Sequence, residues 1–310
     1  MRVKPGRPDL DVHTGRFDVP PAGDGFGVTF AGVATLLLDD GEDAILTDGF
    51  FSRPSLLKVG LGRIAPDEHR IDAALGRLGL TGETSRLRAV LPVHTHYDHA
   101  LDSAVVADRT GAVLAGGRSA VNVGRGGGLP EEQLRVVVPG AALRLGSFTV
   151  TPVPSAHCPP DRYPGAITEP VVPPVRTTAY RCGEAWSLLV AHRSGRTALV
   201  QGSAGFVPGA LEGRTADVVY LGVGQLGVLD ETYIRDFWRH TVEAVGAREV
   251  VLIHWDDFFR PLDRPLRALP YAGDDLDVTV RVLGRLAADQ RVGLHLPTVF
   301  RREDPWALLS

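Results

Sequence analysis

Residues 92–100 read PVHTHYDHA and set His94, His96, Asp98 and His99 directly after the apolar run 87–93. Imidazole and carboxylate are the donors expected of zinc and its first-row neighbours. Gathered at the end of a buried strand, they would make a metal cradle. On extended or looped backbone His94 and His96 face one way and Thr95 the other, and Asp98 continues the first side. A helix should follow, because Ala100, Leu101, Ala104 and Val105 recur at helical spacing and Gly111 can end it. The plain alternative is a histidine-rich surface loop, and the strand–loop–helix setting argues against it.

Those donors need elements to hold them. Short β-like runs are expected at 26–31, 33–38 and 43–47, with a turn at 39–42. A helix is expected near 67–79, with Ile71, Ala74, Leu75 and Leu78 on one face. After the motif come a helix at 100–110, a strand at 112–115 and a helix near 117–123. A second strand group is expected at 134–138, 142–145 and 147–153. The stretch 158–184 is Pro-rich and aperiodic, and as a loop beside a scaffold it reads as a lid or pocket wall. Strands return at 186–192, 196–201 and 217–222. A helix at 231–245 can be capped by Asp230, strand 249–253 leads to His254, and 275–310 mixes helix and strand. The loop 222–227 (GVGQLG) has the wrong spacing for a dinucleotide fingerprint.

Composition sets the bounds. Hydrophobic residues at 44% and charged residues at 23% are ordinary for a globular chain, and 310 residues suit a large α/β body. A net charge of −4 gives no electrostatic footprint for nucleic acid. No apolar run is long enough to span a membrane, and the N-terminus lacks the apolar core of a secretory signal, so the expected location is cytoplasmic. Cys158 and Cys182 do not make a disulfide framework, and Cys158 reads as a packing residue. His13, His69, His240 and His295 fall outside the motif and read as surface or satisfied histidines, and His192, beside Arg193 and Gly195, reads as near a turn rather than in the site.

The pattern at 94–99 fits the His-x-His-x-Asp-His signature of the metallo-β-lactamase superfamily, and the chain resembles that family from about residue 26 to about residue 260. His157 in PVPSAHCPP, ALVQGSAGF at 198–206 and His254 in VVLIHWDDF fit its later motifs. The segment 30–51 is similar to its opening hairpin, with Asp48 where members carry Asp. The resemblance implies a four-layer αββα sandwich of two mixed β-sheets flanked by helices. It would form one domain over 25–310, with the Pro-rich loop at 158–184 and an irregular arm over 1–24. It also implies a ligand set: His94, His96 and His157 for one metal, and Asp98, His99 and His254 for another. The metal would be zinc, one ion or two, with manganese or iron as alternatives. One departure stands out. Ser203 occupies the position of the family's bridging Asp, and a neutral hydroxyl bridges poorly, so the second ion should bind more weakly. That ligand set resembles subclass-three metallo-β-lactamases, whereas the N-terminal half is similar to the lactonase and phospholipase-D-like branch. Substrate class therefore stays open.

Three imidazoles leave a zinc position open for water, whose pKa falls to about 7. The expectation is a zinc-dependent hydrolase whose metal-bound hydroxide attacks a carbonyl: lactone, ester, thioester, amide or β-lactam. Asp98 would orient the nucleophile. A metal-dependent phosphodiesterase of lipid or nucleotide esters is the rival, and a catalytically silent metal-binding module the third reading. The partner would be a small molecule, and the positive centre favours an anionic one. Candidate substrate contacts are Tyr97 as an oxyanion donor, Ser203, Tyr163 and Asp256. The bland readings are a packing spacer for Tyr97, a filler for Ser203 and a solvated pair for Asp256 with Asp257.

Overall fold

A computed structural model describes residues 4–81 and 85–309. The first half supplies β1 (Gly27–Phe30), β2 (Leu36–Asp39), β3 (Ala44–Thr47), β4 (Leu87–Leu91), β5 (Val113–Gly116) and β6 (Leu134–Val136). The second supplies β7 (Leu143–Leu145), β8 (Phe148–Pro154), β9 (Trp186–His192), β10 (Thr197–Gln201), β11 (Val218–Gly222), β12 (Glu249–Ile253) and β13 (Gly293–His295). The last strand, β14 (Arg302–Glu303), returns to the first half. The result is two seven-stranded sheets, ordered β14-β1-β2-β3-β4-β5-β6 and β13-β12-β11-β10-β9-β8-β7. Each mixes parallel and antiparallel pairs.

Period-two alternation separates the faces of the first sheet. Leu36, Leu38, Ile45, Ala89 and Leu91 join the core shared with Phe148, Val150, Leu188 and Leu199 of the second sheet. Leu37, Leu46 and Val90 point the other way. There they meet Ile71 and Leu75 of α2 (Glu68–Arg77), which follows the short α1 (Leu56–Leu61), and Val106 and Ala107 of α4 (Ser103–Thr110), which follows the single turn α3 (Tyr97–Ala100). α5 (Arg118–Gly126) crosses from β5 to β6. On the second sheet, α6 (Glu231–Trp238) and α7 (Leu276–Gln290) bury Ile234, Phe237, Val280 and Leu283. The architecture is thus two mixed sheets flanked by helices.

Three local expectations shift. The run expected at 134–138 does not join the second strand group; Leu134–Val136 extends the first sheet in parallel with β5, and the chain changes sheets through the Pro139–Gly140 turn that follows. The expected helix 231–245 is α-helical over Glu231–Trp238, π-helical over Arg239–Glu243 and α-helical again at 244–245. Thr241 lies at this transition and its hydroxyl takes the carbonyl of Phe237, a competition that loosens helices. The lead-in 1–24 contains, in its described part, a 3-10 helix over Leu10–Arg16 capped by Asp9, and Arg16 donates to the Leu294 carbonyl beside it. Among the described residues, no helix is long and apolar enough to cross a membrane.

Candidate metal centre

The site collects at the C-terminal ends of β3, β4, β10, β11 and β12, the end where open α/β sheets leave a crevice. β4 delivers the chain to Pro92 and His94. His96 caps α3 with extended backbone, and that single turn swings Asp98 and His99 inward. β8 runs into His157, and β12 ends at His254.

The six donors form two groups, each with ligand atoms mutually within 4.8 Å: His94, His96 and His157, and Asp98, His99 and His254. In the second group His254 Nε2 lies 3.2 Å from His99 Nε2 and 3.5 Å from Asp98 Oδ2, and the His99–Asp98 separation is 3.7 Å. Donors sharing one tetrahedral ion at about 2.0–2.1 Å stand roughly 3.3–3.4 Å apart. In the first group the rings stand edge to face, with centroids 4.5–5.0 Å apart. His94 and His99 join the groups at a centroid distance of 3.9 Å. Both ring nitrogens of His94, Nε2 of His96 and Nδ1 of His254 are buried without a hydrogen-bond partner. Unpartnered buried nitrogens cost free energy, so this donor set fits a cation.

The surroundings orient the rings. His99 donates from Nδ1 to Asp48 Oδ2 at 2.7 Å, which turns Nε2 toward Asp98 and His254. Asp48 is fully buried at φ +54°, and its other oxygen accepts the Val93 N–H. His254 sits at φ +59°, its N–H bonded to the Val33 carbonyl at 2.6 Å. Left-handed backbone at non-glycine residues is strained and persists where the surroundings over-determine it. A Cβ at Gly224 would lie 2.6 Å from His254 Nδ1, so glycine leaves room for that ring. His157 Nδ1 donates to the Cys158 carbonyl at 2.7 Å.

Charges follow from this packing. Burial, then the crowding of neighbouring imidazoles, pushes His94 well below its ordinary value and His157 down to about 4. His96 is lowered chiefly by burial. Those rings are neutral at pH 7, the form that donates to a metal. Burial works to raise the Asp98 carboxyl, but His99 and His254 hold it well below the usual carboxylate range. Burial also works against a proton on His99, yet Asp48 and Asp98 raise it above the ordinary value.

The cleft over these groups measures about 270 Å³ and is lined by His96, Asp98, His157 and His254. A larger hollow of about 610 Å³, between Ser52 and Arg70, holds none of the histidines. Of the sequence-derived contacts, Tyr97, Tyr163 and Ser203 line the cleft. Ser203 also braces the ligand turn, its Oγ accepting the Cys158 N–H at 3.0 Å. Asp256 does not line it. Its carboxylate is fully buried against Arg53 at 2.7 Å and accepts the Val33 N–H, so it secures the loop that holds His254 and is neither a substrate contact nor a solvated acid. Asp257 is likewise engaged, with Arg7 and Arg267. Sequence reasoning missed Arg53, a lone arginine in a loop, and the apolar wall of Leu56, Val59, Phe258 and Phe259. The adjacent phenylalanines just after His254 were the available signal.

No protein-family model matches the chain, and no curated protein matches it. Solved structures do. A metallo hydrolase from the archaeon Ignicoccus hospitalis is 12% identical with a TM-score of 0.50, over 90% of this chain and 96% of that one. The diiron β-hydroxylase CmlA from Streptomyces venezuelae is 16% identical with a TM-score of 0.54, over 91% of this chain but 54% of that one. At such identities the likeness speaks to fold alone. Taken with the two-sheet topology, it shows the sandwich of two mixed sheets flanked by helices that the sequence resemblance to the metallo-β-lactamase superfamily implies.

Proposed function

We propose that the chain is a metal-dependent hydrolase, with zinc as its ion, acting on a carbonyl substrate: an ester, lactone, thioester, amide or β-lactam. The observation that carries this is the pair of adjacent donor trios, with buried unpartnered nitrogens, opening on one cleft. A bound cation would supply Lewis acidity and lower the pKa of water to about 7. The rest falls to the protein's own residues. Asp98, held ionised, accepts a hydrogen bond from the attacking water and orients it. Tyr97, kept protonated chiefly by burial, donates to the oxygen on which charge develops. Arg162 on the cleft wall offers a counter-charge to an anionic substrate group. Leu56, Val59, Phe258 and Phe259 would take an apolar arm, and Leu56 is 64% exposed while nothing lies over it.

Elemental analysis of the purified protein, with and without chelator, tests the reading when paired with esters and lactones of increasing acyl length and a phosphodiester. We expect chelator-sensitive turnover, rising with acyl length, and carbonyl substrates cleaved at least about tenfold faster than the phosphodiester. In-line phosphoryl displacement gains more from two firmly held ions, and Ser203 supplies no bridging carboxylate. Phosphodiester cleavage alone would hand the site to the rival reading; metal uptake with no turnover would leave a binding module. A second reading, oxidation at two irons, has the likeness to the diiron hydroxylase behind it. Iron found at two equivalents would favour it.

A further inference from the structure

His96 belongs to a second cluster that the hydrolytic reading does not use. Its Nε2, buried and without a hydrogen-bond partner, stands 3.3 Å from Asp161 Oδ1. His96, Asp161 and Cys182 offer donor atoms mutually within 4.8 Å. Backbone bonds build this corner. The Thr95 N–H donates to the Cys182 carbonyl at 2.8 Å, and the Cys182 N–H donates to the Tyr163 carbonyl at 2.8 Å. Both ends of the Pro-rich segment are thereby tied to the turn between His94 and His96. Asp161 Oδ1 also accepts the Tyr163 N–H at 3.1 Å, which fixes the carboxylate and leaves Oδ2 free of that bond.

We infer that His96, Asp161 and Cys182 form a further cation site for a thiophilic divalent ion such as zinc, sharing His96 with the His94–His157 trio. The inference rests on the metal-centre reading above. The 3.3 Å separation matches donors on one tetrahedral ion, for which bonds of about 2.0–2.1 Å give an edge near 3.3–3.4 Å. Imidazole, carboxylate and thiolate together suit zinc better than magnesium or calcium. A neutral imidazole has one lone pair for a metal, so His96 serves one ion at a time and the two positions exclude each other. The side site is then a place where an ion waits on its way to or from the three-histidine position. Burial pushes the Cys182 thiol up to about 12, so an arriving ion must displace its proton: M²⁺ binds sulfur as one H⁺ leaves to solvent.

Cobalt(II) titration of the whole chain reads this directly, because thiolate ligation gives a sulfur-to-cobalt charge-transfer band and histidine ligation does not. His157→Ala should weaken the three-histidine position and move cobalt to the side site, so that the band strengthens severalfold over wild type. Cys182→Ser in that background should abolish the band, and Asp161→Asn should weaken cobalt binding there about tenfold, with circular dichroism verifying the fold of each. Absence of the band in a folded, cobalt-loaded His157→Ala protein, or its survival in Cys182→Ser, would overturn the side site while leaving the main centre standing. A wild-type protein that binds no cobalt at all would overturn both.

Discussion

The two donor trios meet in one cleft, yet they are backed in different ways. Asp98, His99 and His254 are set in a rigid frame. Asp48 fixes the His99 ring, the Arg53–Asp256 pair secures the loop at Val33, and Val33 holds the backbone of His254. His94, His96 and His157 have less behind them: both nitrogens of His94 are unpartnered, and the support of His157 is its neighbour's carbonyl and the Ser203 brace on the Cys158 N–H. One group is held by charge through a web of carboxylates, the other by burial and by whatever ion it shares. The contrast teaches that a site can be preorganised unevenly, with the anionic half built before the metal arrives.

The hardest blow to that comparison is removal of one donor from each side. His94→Ala and His254→Ala should each lower turnover by about three orders of magnitude, but their apo proteins should differ. Thermal melts of metal-free protein should show His94→Ala unchanged or stabilised, since it removes two unpartnered buried nitrogens, and His254→Ala destabilised. Equal destabilisation of both would erase the difference. Asp256→Asn probes the frame itself: leaving the Arg53 charge buried without its partner should cost about 3–5 kcal/mol in denaturant unfolding. A loss under 1 kcal/mol would mean the pair does not anchor the loop.

Asp48→Asn is milder. It releases the His99 tautomer, so metal affinity at the Asp98 trio should fall about 10–100-fold by chelator competition, with the His94 trio unaffected. A fall at both would show that the trios act as one unit. Ser203→Ala should change turnover by no more than about threefold, the loss of one backbone hydrogen bond, whereas Ser203→Asp should tighten metal binding if residue 203 faces the ions. A histidine outside both trios sharpens the contrast least in size but most cleanly. In His295 burial works to lower the pKa, but hydrogen bonds to Glu249 and Asp18 raise it above 6.5. Its contribution to stability is fully present below the unfolded value and is lost as pH rises through the folded one. His295→Gln should therefore cost about 1 kcal/mol at pH 5.5 and less at pH 9. A cost that grows with pH would contradict that partnership.

Local pattern alone determined much of this protein. Four donors within 94–99 follow a strand, and that spacing by itself brings them to one loop, because chain connectivity permits little else. The helix start at Asp230 was legible because a side-chain cap is a local bond, whereas the cap at Asp67 emerged with the structure. His157 and His254 came from resemblance to family motifs; nothing in the spacing of residues 58 and 155 positions from His99 could bring them there. What only the tertiary structure decided is of that long-range kind. It pairs Asp48 with His99 and Arg53 with Asp256, sends 134–136 to the first sheet, and lays Leu56 and Phe258 along the same cleft as the histidines. Such partners sit on loops and short helices that follow different strands, and no periodicity records which loop ends face each other once two sheets have packed. The same holds for Asp161 and Cys182, which flank a Pro-rich stretch without pattern and meet at His96 because backbone bonds lace its ends together.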